Sequence, residues 1–328
     1  MSILAHRDYR ADQTFDAEVV VVGTGAGGAV AGAELAEAGR DVLFVEEGSY
    51  HPTSSLNPYL TESIPRLYRD AGATIIMGRP PIPYAEGRCV GGSTLVNGGM
   101  TWRAPERVLM EWETLTGQPD LGPKALAPFF DRVEERIHAK PQHPASVGKD
   151  SRLLEEGARR LGWRYEHNRR AQDRCVGSNQ CLTGCPTGAK QSTLLSYMPR
   201  ALSFGARCLT EVRIHRLWIE RGRCVGVIGK AVNPHTRRGD IDIRVRSKAV
   251  VVSCGAVQTP YLLLGHRWGR RNPQLGKNFL CHPNAKVVAI YPFDIHAWQG
   301  VSQGGQIREF LDEGIVMAEN AVPPGTAA

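Results

Sequence analysis

The sequence predicts an α/β fold, and three consecutive stretches near its N-terminus carry the evidence. Glu18–Gly23 reads EVVVVG, a short run of β-branched residues that is typical of a buried parallel strand. A glycine-rich turn follows, and then AVAGAELAEAG, a helix of small residues that ends at Gly39. Asp41–Val45, DVLFV, is a second buried strand. Strand, turn, helix and strand in this order form the β–α–β unit of a Rossmann-like dinucleotide-binding domain.

The bulk composition is that of an ordinary globular protein. The chain has 328 residues, of which 42% are hydrophobic and 22% charged, enough for two domains or one large one. Its net charge of +7 can indicate a patch for an anionic partner or a membrane surface, or a solvated helix face and loop. We favour the solvated surface and expect no nucleic-acid partner, because no recognition motif accompanies the charge. The clustered arginines are Arg159, Arg160, Arg164, Arg169, Arg170, Arg174, Arg267, Arg270 and Arg271.

The sequence also bears on the cellular location. Residues 1–18 contain neither a long apolar core nor a small-residue cleavage site, so they do not predict a secretory signal. No apolar run approaches the roughly 18–20 residues that a transmembrane helix needs. We therefore expect a cytoplasmic protein without a transmembrane segment, in which cysteines stay reduced.

The turn after the first strand has the G-x-G-x-x-G spacing of a dinucleotide-binding loop. Gly23 permits the tight turn, Gly25 lets the backbone approach a pyrophosphate, and Gly28 lets the helix pack closely on the sheet. Glu46 ends the second strand, where a carboxylate accepts hydrogen bonds from the adenosine ribose; Glu47 is the weaker candidate. This segment predicts dinucleotide binding but does not separate FAD from NAD.

A second glycine-rich loop, GRCVGGSTLVNGGMTWRAP, spans Gly87–Pro105. Its small residues offer backbone donors that can lie against a diphosphate or the edge of a flavin. Asn97 adds a side-chain amide that both donates and accepts hydrogen bonds.

With this loop the chain resembles the glucose–methanol–choline (GMC) oxidoreductases, FAD flavoproteins that oxidise alcohols, sugars or choline. The family stretch G-R-x-x-G-G-S-S/T-x-x-N-G is matched from Gly87 to Gly98. CGAVQTPYLLL (Cys254–Leu264) resembles the family's G-A-x-x-S/T-P-x-L-L signature, and LGKNFLCHP (Leu275–Pro283) resembles its G-x-N-x-x-x-H-P stretch. The resemblance covers nearly the whole chain.

The resemblance implies a set of FAD-binding residues. Some family members link FAD to a histidine in the second loop; none lies between Ile82 and Pro105, so we expect non-covalent FAD. Glycines of the first loop and Glu46 would contact the ADP half, the second loop would follow the pyrophosphate and flavin, and the backbone of Val212 would meet the adenine. The implied set is Gly23, Gly25, Gly28, Glu46, Gly91, Gly92, Ser93, Asn97, Gly98, Val212, Gly255 and Ala256.

The resemblance also implies an activity, hydride transfer from the CH–OH carbon of an alcohol or sugar to flavin N5. The family's catalytic histidine stands in a C-terminal motif that this sequence lacks, and family members are longer. We therefore expect a C-terminally truncated member whose catalytic histidine lies beyond residue 328, without turnover of its own. The alternative is a non-catalytic FAD-binding or interaction module. An NAD-linked dehydrogenase is disfavoured, because the second loop suits a flavin.

The predicted domains are interleaved along the chain. Residues 1–105 and 206–283 form the Rossmann-like FAD-binding domain. Residues 106–205 form a helical and loop segment of an α+β substrate domain, and residues 284–328 begin its incomplete sheet. Within that last segment, AKVVAIY (Ala285–Tyr291) predicts a strand.

Three cysteines, Cys175, Cys181 and Cys185, stand at C-x5-C-x3-C spacing, and Pro186 follows the last of them. A disulfide is the weakest interpretation in a reducing compartment, and zinc wants a fourth ligand. An iron–sulfur cluster uses such closely spaced thiolates, and small buried side chains in a tight loop are the remaining alternative. The segment resembles one in GMC sugar dehydrogenases, where a cluster passes electrons to a cytochrome partner. It therefore favours a dehydrogenase over an oxidase.

Overall fold

A computed structural model describes residues 2–266 and 269–320, so Arg267 of the arginine group lies outside the described residues. The strands are β1 (Ile3–Leu4), β2 (Gln13–Val22), β3 (Val42–Val45), β4 (Thr74–Ile76), β5 (Ile82–Tyr84), β6 (Ala139–Pro141), β7 (Tyr165–His167), β8 (Arg169–Ala171), β9 (Arg207–Leu209), β10 (Val212–Glu220), β11 (Arg223–Val232), β12 (Gly239–Val252) and β13 (Gly305–Ile307). The helices are α1 (Ala26–Glu37), α2 (Leu60–Leu67), α3 (Ser93–Val96), α4 (Glu106–Thr116), α5 (Pro123–Arg136), α6 (Lys149–Leu161), α7 (Tyr197–Ser203) and α8 (Gly255–Leu264).

The chain divides into two compact units. The first unit comprises residues 1–96, 183–186 and 193–288, and the second comprises residues 97–182, 187–192 and 289–328. The chain changes unit after residues 96, 182, 186, 192 and 288, and the predicted domain boundaries follow residues 105, 205 and 283. The roles assigned to these segments stay predictions.

A seven-stranded sheet forms the centre of the first unit, in the order β1-β9-β3-β2-β12-β11-β10. The strands from β1 to β12 in this order pair in parallel, while β11 and β10 add two antiparallel pairs at one side. The apolar runs Val19–Val22 and Val42–Val45 pair with each other in register and are buried. The α/β fold with a parallel sheet is thereby confirmed.

Helix α1 lies close to the sheet because its inner side carries almost no side chain. A Cβ atom on Gly32 would stand 2.2 Å from the ring of Phe44 in β3. Only glycine fits at such a distance, which explains the run of small residues seen in the sequence. The buried positions of the helix are Gly28, Ala29, Gly32, Ala33 and Ala36.

The second unit contains helices α4, α5 and α6 and two small antiparallel sheets, β6 with β8 and β7 with β13. The strand predicted over Ala285–Tyr291 is wrong, because these residues, all of them described, form no regular structure. Val287, Val288 and Ile290 are 95%, 84% and 95% exposed. A β-prone run becomes a strand only when a neighbour accepts and donates its backbone hydrogen bonds, and no described strand pairs with this one.

The arginine cluster is divided between surface and interior. Arg159 and Arg160 are exposed on α6, as the solvated-face interpretation predicts. Arg170 in β8 is the exception, since it is 2% exposed and donates to the carbonyl of Ser302 at 2.7 Å. Its charge therefore serves the interior of the second unit and adds nothing to a surface patch. Within the described parts of the chain, none of the helices has the length and apolar character needed to cross a bilayer.

Candidate cofactor-binding site

The predicted FAD-binding residues of the first unit gather at the carboxyl edge of its parallel sheet. Strands β2, β3 and β12 run in the same direction, so the residues that follow them meet at one edge. The amide of Gly23 donates to the carbonyl of Val45 at 2.8 Å, and the amide of Ser253 donates to the carbonyl of Val22 at 2.9 Å. In open α/β sheets this edge is where ligands bind.

Two glycines of the first loop are required by close backbone contacts. Gly23 has a φ of +98°, and a Cβ atom there would lie 2.4 Å from the carbonyl oxygen of Ser253. A Cβ atom on Gly28 would lie 2.0 Å from the carbonyl oxygen of Gly23. Gly25 begins α1 without any side-chain cap, and the next two residues are exposed. This helix start therefore presents backbone N–H donors and a positive dipole end to a phosphate.

The second glycine loop lies directly against the first. Gly92 has a φ of +50°, and a Cβ atom on it would stand 2.9 Å from the Cα of Gly25. The amide of Gly91 donates to the hydroxyl of Thr24 at 3.1 Å. Ser93 accepts a hydrogen bond from the amide of Gly87 at 3.0 Å, which closes the loop on itself. The two glycine-rich motifs thus form one continuous backbone surface.

Three threonines outside the predicted FAD-binding set, Thr24, Thr94 and Thr193, hold the two loops together. The Thr193 hydroxyl lies 3.0 Å from the carbonyl oxygen of Thr24 and 3.2 Å from that of Gly91. The Thr193 amide donates to the Thr94 hydroxyl at 3.0 Å, and this hydroxyl donates to the Gly91 carbonyl at 2.6 Å. Thr193 follows Thr24 by 169 residues and belongs to no motif, so no local signal pointed to it.

Glu46 is buried at the end of β3, and protein donors hold its carboxylate. One oxygen accepts from the amide and the hydroxyl of Thr24, at 3.0 and 2.7 Å, and the other accepts from the amide of Gly48 at 2.9 Å. Burial raises the pKa of this carboxyl above its usual range, against these hydrogen bonds, which lower it. A carboxylate offers about four acceptor positions, so the second oxygen, which accepts from Gly48, keeps an acceptor position.

Val212, Gly255 and Ala256 also lie at this edge of the first unit. The Val212 amide donates to the carbonyl of Glu46 at 2.9 Å, so this donor is already used within the protein. Gly255 has a φ of +89° and begins α8, and both it and Ala256 are exposed. The start of α8 therefore offers a second accessible helix N-terminus beside that of α1.

Family models match most of this chain. A GMC oxidoreductase model matches residues 64–284, and an FAD binding domain model matches residues 18–56. The chain belongs to the GMC oxidoreductase family. The matched FAD binding domain implies FAD as the cofactor, and the residues at the sheet edge fit it. The exposed start of α1, at Ala26 and Gly27, presents backbone N–H groups that suit a pyrophosphate, and Glu46 keeps an acceptor position that suits a ribose hydroxyl.

The chain is 34% identical to an uncharacterised GMC-type oxidoreductase of Sinorhizobium fredii, over 91% of this chain and 58% of the relative. It is 30% identical to the long-chain-alcohol oxidase FAO4B of Arabidopsis thaliana, over 84% of this chain and 37% of the relative. The chain thus spans about half the length of the curated relatives it matches. The crystal structure of pyridoxine 4-oxidase from Mesorbium loti shares its fold, with a TM-score of 0.58, 20% identity, and coverage of 76% of this chain and 51% of that one.

Asn97 and Gly98, the last two predicted contacts of the second loop, belong to the second unit. Two buried cations hold their carbonyls there. Lys190 donates to the carbonyl of Asn97 at 2.7 Å, and Arg170 donates to that of Gly98. Both cations also reach Cys181, Lys190 at its carbonyl and Arg170 at its sulfur, 3.3 Å away. The cysteine segment is thereby tied to the end of the glycine loop.

The cysteines of this chain form no metal-binding group within the described residues. Cys175 and Cys181 belong to the second unit and Cys185 to the first, where it is buried. None of the eight cysteines, all within the described residues, forms a disulfide. Within residues 2–266 and 269–320, no three His, Cys, Asp or Glu side chains are grouped to hold a metal ion. An iron–sulfur cluster needs converging thiolates, so the geometry does not support the predicted cluster.

Proposed function

We propose that this chain forms the FAD-binding part of an oxidoreductase that acts on the CH–OH group of an alcohol or sugar. The observation that carries the proposal is the contact of the two glycine loops at Gly25 and Gly92, beside the buried acceptor Glu46. When bound, FAD supplies the acceptor, flavin N5, for the hydride that leaves the alcohol carbon.

Each part of the sheet edge has a proposed role toward the cofactor. The start of α1 directs its N–H groups at the pyrophosphate, and the free acceptor position of Glu46 takes a ribose hydroxyl. Gly91, Gly92 and Ser93 follow the pyrophosphate toward the flavin. Asn97 and Gly98, in the second unit, stay proposed FAD contacts. The exposed start of α8, Gly255 and Ala256, lines the same edge.

An alcohol is the first substrate class to test. Its support is the similarity to FAO4B, whose name is that of a long-chain-alcohol oxidase, together with the family membership. Sugars are the second class, on the resemblance of the cysteine segment. Bleaching of the flavin absorbance by one class, under anaerobic conditions, identifies the donor.

The electron acceptor separates a dehydrogenase from an oxidase. We propose a dehydrogenase on the cysteine segment, although the described residues give no support to a cluster that would serve a cytochrome, and FAO4B is named an oxidase. Oxygen consumption compared with the reduction of an artificial acceptor tests this choice. Iron and acid-labile sulfide in anaerobically purified protein would restore the cluster, and absence of both would remove it.

The first experiment is a flavin titration of the purified chain. Quenching of FAD fluorescence, with competition by ADP, is the expected result, and saturation by NAD without flavin binding would contradict the proposal. The alternative function is a non-catalytic FAD-binding module. Bleaching of the flavin spectrum by an alcohol or sugar would favour the enzyme over the module.

A further inference from the structure

We infer that Arg69 is a positioning residue that sets the spacing of three cofactor-binding segments: the end of β3, the second glycine loop and the start of α8. The inference rests on the proposed FAD binding and adds a residue that none of the sequence motifs includes. All of its partners lie in the first unit.

The first link joins Arg69 to the end of β3. Its two terminal nitrogens donate to the two carboxylate oxygens of Glu47, at 3.1 and 2.8 Å. Glu47 directly follows Glu46, the proposed ribose acceptor. The exposed Arg213 also contacts Glu47, at 3.2 Å. A fork of two parallel hydrogen bonds fixes both the distance and the orientation of this strand end.

The second link joins Arg69 to the second glycine loop. Its Nε donates to the carboxylate of Glu86, the residue before Gly87, and its amide donates to the carbonyl of Glu86 at 2.9 Å. The amide of Arg88 donates to the carbonyl of Leu67 at 2.7 Å. Residues 67–69 and 86–88 thus run side by side, so that the position of Arg69 sets where the loop begins.

The third link passes from Glu86 to α8. The side-chain Nε2 of Gln258, in the first turn of α8, donates to one carboxylate oxygen of Glu86 at 3.0 Å, and the Tyr84 hydroxyl donates to the other at 2.8 Å. Burial, and then the hydrogen bond to Glu86, raise the pKa of Tyr84 to about 12, so Tyr84 stays a donor at neutral pH. Glu86 therefore connects Arg69 to the helix that starts at Gly255.

The network is buried, so its charged groups depend on accurately placed hydrogen-bond partners. Arg69 and Glu86 are 9% and 6% exposed. Burial lowers the pKa of Arg69, but Glu47 and Glu86 outweigh it and raise the pKa overall, so the guanidinium stays charged. A lysine carries the same charge on a single nitrogen and cannot hold both carboxylates in one plane.

The test compares Arg69→Lys with Arg207→Lys in the same unit. Arg207 donates to both oxygens of Asp41, at 3.0 and 3.1 Å, but lies at the amino end of β9, away from the cofactor edge. The measurements are the Kd of FAD and the Kd of ADP, by titration of folded protein, and the urea midpoint. We expect Arg69→Lys to weaken FAD by about 10-fold and ADP by less, because ADP does not span the second loop, while Arg207→Lys changes neither.

Equal FAD affinity in the two variants would overturn the inference, as would FAD and ADP weakened by one common factor. Gln258→Ala is the second variant, in case Arg69→Lys does not fold. It removes only the link to α8, and we expect it to weaken FAD by about 3-fold with an unchanged urea midpoint; unchanged FAD affinity would count against the network. A wild-type chain that binds ADP but not FAD would refute the proposed function instead.

Discussion

The backbones of Gly25 and Gly92 touch, so that a Cβ atom added to Gly92 would stand 2.9 Å from the Cα of Gly25. This contact turns two separate motifs into one surface. Hydrogen bonds keep the two loops in place. The Gly91 amide donates to the Thr24 hydroxyl, and the Thr193 hydroxyl lies within hydrogen-bonding distance of the carbonyl oxygens of Thr24 and Gly91. A single methyl group added to Gly92 would therefore disturb both loops at once.

Gly92→Ala is expected to open the contact between the loops. The added methyl group meets the backbone of Gly25, and the φ of +50° disfavours any side chain, so we expect a loss of about 1–3 kcal/mol of stability. FAD affinity should fall together with it. Gly39→Ala is the control, since Gly39 has a φ of +77° and no atom within 4 Å of the added Cβ. Equal FAD affinity in both variants would show that the contact does not matter.

Two neighbouring glycines of α1 should respond in opposite ways to alanine. In Gly28→Ala the new methyl group would meet the carbonyl of Gly23 at 2.0 Å, whereas in Gly27→Ala it would lie 3.8 Å from the Ser253 hydroxyl. We expect Gly28→Ala to prevent folding or FAD binding. Gly27→Ala should keep the stability of the wild type or raise the free energy of unfolding by up to about 1 kcal/mol, because alanine favours a helix over glycine by this amount. Thermal unfolding of both, with FAD titration, checks the pair.

Thr193 should stabilise the two loops through the hydrogen bonds of its hydroxyl and not through packing of its methyl group. Thr193→Val leaves the carbonyls of Thr24 and Gly91 without this donor, and we expect a loss of about 1–3 kcal/mol by urea unfolding and weaker FAD binding. Thr193→Ser keeps the hydroxyl and should keep most of both. If serine and valine are equally damaging, packing of the methyl group explains the effect and the hydrogen bonds do not.

The stability of the FAD-free protein should depend on pH through Glu46. Burial raises the pKa of Glu46 in the folded state, so its contribution is fully present below the unfolded pKa of about 4.3 and is lost as pH rises through the folded pKa. Glu46→Gln cannot titrate. The melting temperature of the wild type minus that of the variant should therefore decrease from pH 4 to pH 8. A difference that grows with pH would contradict this sign.

The β–α–β unit was predictable because its signals are local. Val19–Val22 and Val42–Val45 are apolar without interruption, as strands buried on both faces must be, and Gly23 and Gly28 sit at a fixed spacing set by the turn itself. Each of these features follows from residues close together in the chain. The order of the segments then placed Glu46 at a strand end.

Local pattern failed where a distant partner decides the structure. Ala285–Tyr291 has the composition of a strand, but no neighbour pairs with it, and the side chains of Val287 and Ile290 stand exposed. Arginine usually lies at the surface, but the Arg170 guanidinium donates to the carbonyls of Gly98 and Ser302 in the interior. The carbonyls that bind Arg170 lie 72 and 132 residues away along the chain, whereas Ala285–Tyr291 lacks a partner strand among the described residues.

The amino-acid sequence was sufficient for the family, the α/β fold and the glycine positions, because these rest on short-range spacing and on backbone conformations that only glycine adopts easily. Only the tertiary structure showed that Thr193 holds the two loops together and that Arg69 joins Glu47 to Glu86. Such contacts form between residues brought together by packing, and they leave no periodicity in the chain. The same packing divides the three cysteines between two units, which no spacing rule reveals.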